Sequence, residues 1–103
     1  MSLYGDYEEP PTELRGQEIG HGVHIRPYVK GDDKTEAGII VEHKHEDGKI
    51  CLGAVPFDLP VNADENRHKW TVVSREPLTL DPSVNVIDCP LHGWIKDGQW
   101  TPA

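Results

Sequence analysis

Large apolar side chains are scarce in this sequence. Its 103 residues include one Met and one Phe, and aromatic residues make up 7% of the chain. A core must therefore be built from Val, Ile, Leu and the three tryptophans. No apolar run approaches the length of a membrane-spanning helix, and the N-terminus lacks the basic and apolar regions of a signal peptide. We therefore expect a cytoplasmic protein, in which the two cysteines stay reduced.

Basic residues are also few. Ten Lys and Arg residues stand against eighteen Asp and Glu residues, which gives a net charge of −8 at pH 7. A chain of this charge is repelled by phosphate backbones and by anionic lipid surfaces. We therefore expect neither a nucleic acid nor a membrane as partner, and expect instead a protein partner or self-association.

The sequence has none of the short motifs that indicate a catalytic site. The sequence contains no nucleophile-elbow pattern, no phosphate-binding glycine loop and no His-Glu-x-x-His. A single domain of this length has little room to enclose a substrate. The expectation from these absences is that the chain is not an enzyme.

What the sequence does contain is strand patterning. Residues 1–20 are acidic, carry Pro10-Pro11 and show neither a helical nor an alternating period, which is typical of an extended arm. From residue 21 onward, short β-branched runs are separated by turn residues, and Glu46-Asp47-Gly48 joins two of them as a hairpin. We predict an all-β fold for residues 21–103, a small sandwich or partly open barrel of about five to seven short antiparallel strands.

The candidate site is Cys89-Pro90-Leu91-His92. This spacing places a thiol and an imidazole on one turn, where both can reach the same metal ion. The other ligands must come from elsewhere, and we expect Cys51 together with His43 or His45. The predicted site is a structural zinc bound by Cys89, His92, Cys51 and His43, since a domain with few large apolar residues gains stability from a metal. The alternative without metal is a buried thiol and a hydrogen-bonded turn histidine.

The hairpin turn decides between His43 and His45. A two-residue Asp47-Gly48 turn pairs Lys44 with Cys51 and places both histidines on the opposite face of the sheet. A three-residue loop that ends in Gly48 pairs His43 with Cys51 directly. Asp-Gly is compatible with both turns, so the sequence leaves the choice open.

The three tryptophans also allow two interpretations. Core packing is the default for Trp70, Trp94 and Trp100. An exposed Trp94–Trp100 pair on the last hairpin would instead indicate a binding patch.

The segment from Cys89 to Trp94 resembles the second half-motif of Rieske iron–sulfur domains, Cys-x-x-His-Gly-Trp. That resemblance implies that Cys89 and His92 each bind one iron, and that the protein carries electrons. The first half-motif, Cys-x-His, has no counterpart: its expected window, Asn66 to Val73, contains His68 and no cysteine. We therefore do not expect an iron–sulfur cluster.

A longer segment resembles an uncharacterised family of small bacterial and actinobacterial-phage proteins. The resemblance rests on W-x-V-x-S-x-x-P-L-T-L-x-P-S followed by C-x-x-H-G-x-I-x-x-G-x-W. Members often carry a further cysteine where this chain has Val86. The resemblance implies a small accessory binding protein with a metal turn, located in the host cytoplasm if the chain is phage-encoded. The alternatives are a phage virion or assembly component without metal and a Rieske-like electron carrier.

Overall fold

A computed structural model describes residues 13–31, 34–86 and 89–103. Within these ranges the chain forms nine strands and one turn of 3-10 helix at Pro60–Asn62. The strands are β1 (Gln17–Gly20), β2 (Val23–Lys30), β3 (Thr35–Lys44), β4 (Ile50–Pro56), β5 (Thr71–Arg75), β6 (Leu78–Asp81), β7 (Val84–Asn85), β8 (His92–Lys96) and β9 (Gln99–Pro102). They form three antiparallel sheets, in the orders β1-β2-β3-β4, β5-β6 and β7-β8-β9.

The predicted all-β fold is confirmed: the described residues form three small antiparallel sheets and no closed barrel. The strands are more numerous than expected, because the two-residue β7 and residues 17–20 also pair. Residues 17–20 fall in the stretch that the sequence assigned to the arm. Residues 1–12 lie outside the described residues, so the division into an arm and a domain stays a prediction.

The β3–β4 hairpin adopts the three-residue loop. The amide of His45 donates to the Lys49 carbonyl at 2.7 Å, the amide of Gly48 donates to the His45 carbonyl at 2.9 Å, and Gly48 has a φ of 89°. Only glycine enters that region without steric cost. His43 therefore lies directly opposite Cys51, which resolves the alternative that the sequence left open.

The core lies between the first sheet and the two smaller ones. Residues 37–42 of β3 are all buried, because β2 and β4 flank this strand on either side. Alternation sends Ile39 and Val41 into the core and Ile40 and Glu42 to the other face. The core cluster consists of Ile19, Val23, Ile39, Val41, Val55, Phe57, Leu80, Val84, Val86, Cys89, Ile95 and Trp100.

A buried carboxylate holds the N-terminal end of the described chain against β3. Glu42 is 1% exposed, and its Oε1 accepts hydrogen bonds from the amides of Arg15 at 3.0 Å and Gly16 at 2.6 Å. Its Oε2 lies 3.2 Å from Nε of Arg26. A side chain at Gly16 would meet the carbonyl oxygen of Ile25 at 2.3 Å, so only glycine allows this close approach.

Within the described residues, no helix is long and apolar enough to cross a membrane. The cytoplasmic location stays a prediction.

Replacing Glu42 tests the importance of this buried carboxylate. We expect Glu42→Ala to lower the free energy of unfolding by about 2 to 4 kcal/mol, because it leaves two backbone amides and a guanidinium without their acceptor. The matched control is Glu36→Ala, which removes an exposed carboxylate paired with Arg75 and should cost less than about 1 kcal/mol. Urea unfolding of both variants measures the difference, and equal losses would contradict it.

Candidate functional site

Strands β7 and β8 set the directions of the side chains at the C-terminal end. Val84 pairs with Gly93 and Asn85 with His92. Val84, Gly93 and Ile95 are buried on the inner face, so alternation turns His92 and Trp94 to the outer face.

Gly93 allows this arrangement by its lack of a side chain. A Cβ at this position would lie 2.5 Å from the Trp100 ring and 2.6 Å from the Thr101 carbonyl oxygen. The Trp100 ring therefore lies against the backbone of β8, which fixes the strand and the outward direction of His92.

A serine and a histidine meet on the outer face. Ser83 Oγ lies 2.9 Å from Nε2 of His92, a normal hydrogen-bond distance. Ser83 is half-buried and His92 is exposed. The indole N–H of Trp70 donates to the Ser83 carbonyl at 3.2 Å and so fixes the backbone of the serine. A hydroxyl that donates to a neutral imidazole can transfer its proton to it, which is how a serine nucleophile is activated.

A second group of side chains lies at the edge of the core. His43, His45 and Cys89 each offer one ligand atom, and these atoms all lie within 4.8 Å of one another. Cys89 Sγ is 3.7 Å from Nδ1 of His43 and 3.6 Å from Nε2 of His45. The three residues can therefore hold a metal ion.

Cys51 completes the neighbourhood of this group. It lies opposite His43 in the hairpin register, and its Sγ contacts Nε2 of His45. Strand alternation gives His43, His45 and Cys51 the same face, the one that carries Val41 into the core. Cys51 and Cys89 are not joined in a disulfide bond.

The surroundings of His43 favour its neutral imidazole. Burial lowers the pKa of His43, and the neighbouring His45 lowers it further, since a second positive charge would be repelled. The neutral form is the one that binds metal ions.

Of the four residues predicted as ligands, Cys89 and His43 lie in this second group together with His45, and Cys51 contacts His45. His92 lies instead beside Ser83. Metal binding by the predicted set stays a prediction. Ser83 was missed because it stands nine residues before His92, and only the pairing of β7 with β8 reveals their contact.

Two surface hollows are lined by residues that lie close to Ser83 or His92 in the sequence. The first, which we call the Trp94 hollow, has a volume of about 460 Å³ and is lined by residues of β5, β6, β8 and β9, among them Asp81 and Trp94. The second, the β4 hollow, has a volume of about 400 Å³ and is lined by residues 52–56, Trp70 and β7. Ser83 stands in the chain between the residues that line one hollow and those that line the other.

Comparison with known proteins identifies a family whose model matches this chain. Residues 31–103 match the family model described as "Bacterial ubiquitination-like system serine protease (BubE)". No curated protein and no solved structure matches the chain. The match confirms the prediction that the chain belongs to a bacterial protein family. The phage attribution and the Rieske-like resemblance stay predictions.

The expectation that the chain is not an enzyme is wrong. The matching family is named as a serine protease, and its model spans both Ser83 and His92. Contiguous nucleophile motifs are absent from the sequence, but strand pairing can also bring a serine and a histidine together, as it does for Ser83 and His92.

Proposed function

The chain belongs to the BubE family of bacterial ubiquitination-like system serine proteases, and on that premise we propose that it is a serine peptidase whose nucleophile is Ser83 and whose general base is His92. The observation that carries the proposal is the 2.9 Å contact between Ser83 Oγ and His92 Nε2 on an exposed face. The substrate is a polypeptide of such a system, and it is the protein partner of this chain.

The reaction follows from the positions of the two side chains. Ser83 Oγ attacks the carbonyl carbon of the scissile peptide bond while His92 Nε2 takes the hydroxyl proton. The tetrahedral intermediate collapses when His92 passes that proton to the leaving amine. Water, deprotonated by His92, then hydrolyses the acyl-serine and restores the hydroxyl.

We further propose that His43, His45, Cys51 and Cys89 bind a structural zinc ion. Tetrahedral zinc with bonds of about 2.3 Å to sulfur and about 2.05 Å to nitrogen places the two ligand atoms about 3.6 Å apart. The separations from Cys89 Sγ to the two imidazole nitrogens, 3.6 and 3.7 Å, match this value. Cys51, on the facing strand, is the proposed fourth donor, and its Sγ has to move away from His45 Nε2 to admit the ion. His45 then takes the place that the sequence gave to His92.

The proposed zinc supports the catalytic base through the chain. Cys89 is three residues before His92, and two backbone hydrogen bonds attach this stretch to Val86: the Cys89 amide donates to the Val86 carbonyl at 3.3 Å, and the Val86 amide donates to the Leu91 carbonyl at 3.0 Å. A metal bound to Cys89 ties this turn to the β3–β4 hairpin. The position of His92 then depends on the hairpin as well as on β7 and β9.

Replacing the serine tests the peptidase proposal. We expect Ser83→Ala to abolish labelling by a fluorophosphonate probe, which reacts with activated serines, and to lower peptide cleavage by about a thousandfold or more. His92→Asn should have a similar effect, because the hydroxyl then lacks its base. The matched control is Ser74→Ala on β5, which should label as the wild type does.

Mass spectrometry of the labelled peptide locates the modified residue, and circular dichroism shows whether each variant is folded. A folded Ser83→Ala protein that is labelled as strongly as the wild type would overturn the proposal.

Elemental analysis tests the zinc proposal. We expect about one zinc per chain in the purified protein and a melting temperature that falls when a chelator is added, because bound metal contributes folding free energy. Cys89→Ser and His45→Asn should lose the zinc, whereas His21→Asn, at an exposed turn, should keep it.

A metal-free protein whose melting is unaffected by chelator would contradict the zinc proposal. Two irons per chain would contradict it as well and would support the Rieske-like alternative.

A further inference from the structure

We propose that the Trp94 hollow is the specificity subsite of the peptidase and that it takes a large apolar side chain of the substrate next to the scissile bond. The inference rests on the proposed function, since it assumes that Ser83 attacks a peptide carbonyl. The subsite determines the chemical class of the substrate residue next to which the peptide is cut.

Two residues that line the Trp94 hollow lie close in the sequence to the proposed catalytic pair. Trp94 stands two residues after His92 on β8, on the same outer face, and Asp81 stands two residues before Ser83. Two residues of β8 span about 7 Å, which is within reach of a large side chain attached next to the attacked carbonyl. A substrate whose carbonyl lies at Ser83 therefore brings a neighbouring side chain over the hollow.

The Trp94 hollow is lined by exposed apolar side chains. The structure describes three large hydrophobic side chains that are exposed, and two of them, Val73 at 64% and Trp94 at 41%, line this hollow. Leu80 and Ile95, which are buried in the core, line it as well. Exposed tryptophan costs free energy in water and regains it on contact, which is why such residues dominate binding sites.

Size and charge restrict the occupant further. About 460 Å³ lies within the range of ligand pockets, from about 300 to 1,000 Å³, and accommodates a leucine, phenylalanine or tryptophan side chain. Asp81 and Lys96 bring opposite charges to the lining, so the hollow carries no single sign of charge that would select an ionised side chain. The subsite therefore favours bulky apolar residues.

The test uses the full chain and a mixed library of synthetic peptides, with cleavage positions read by mass spectrometry. We expect the wild type to cut next to Leu, Phe or Trp. Trp94→Ala and Val73→Ser should each lower kcat/KM for such peptides by about tenfold or more, and change it less than about twofold when the same position is Ala. The matched control is Val29→Ser, which replaces another exposed valine outside the hollow and should leave the preference unchanged.

Fluorophosphonate labelling separates this inference from the proposed function. Normal labelling of Trp94→Ala and Val73→Ser together with a lost apolar preference supports the subsite. Normal labelling with an unchanged preference overturns the subsite and leaves the peptidase intact, and so does a variant that changes only the oligomeric state in light scattering. A wild type that is not labelled and cuts no peptide overturns the peptidase itself and the subsite with it.

Discussion

The close approach of Gly93 to the Trp100 ring is the constraint on which the C-terminal half of the protein depends. It brings β8 against β9, buries Ile95 and leaves His92 and Trp94 on the outer face. With β8 in place, the two-residue β7 can pair with it, and Ser83 reaches His92. The same strand begins directly after the turn that carries Cys89 into the core.

The proposed catalytic pair and the proposed metal site thus share one short stretch of chain. Cys89 faces inward, toward His43 and His45, while His92 faces outward, toward Ser83. In this proposal the Cys-x-x-His segment is divided between two neighbouring sites, whereas the sequence prediction assigned both of its side chains to one metal ion. A thiol and an imidazole three residues apart can serve one ion, but they can equally point to opposite sides of a sheet.

The fold could be predicted from the sequence more completely than the site. Alternating β-branched runs and the Glu46-Asp47-Gly48 turn are local signals, and they are sufficient for the all-β class and the β3–β4 hairpin. The register needed the backbone of Gly48, which the sequence does not reveal. The hydrogen bond between Ser83 and His92 depends on which short strands become neighbours. Strand β7 is too short to have a recognisable sequence pattern of its own.

The hydrogen bond from the Trp70 indole to the Ser83 carbonyl has a consequence for the energetics of the proposed reaction. The backbone of Ser83 is held from one side by this bond, and from the other by Pro82, whose ring fixes its own φ. A nucleophile anchored in this way is preorganised: it loses little conformational entropy when it approaches a carbonyl carbon. The free energy of substrate binding is then available for aligning the peptide.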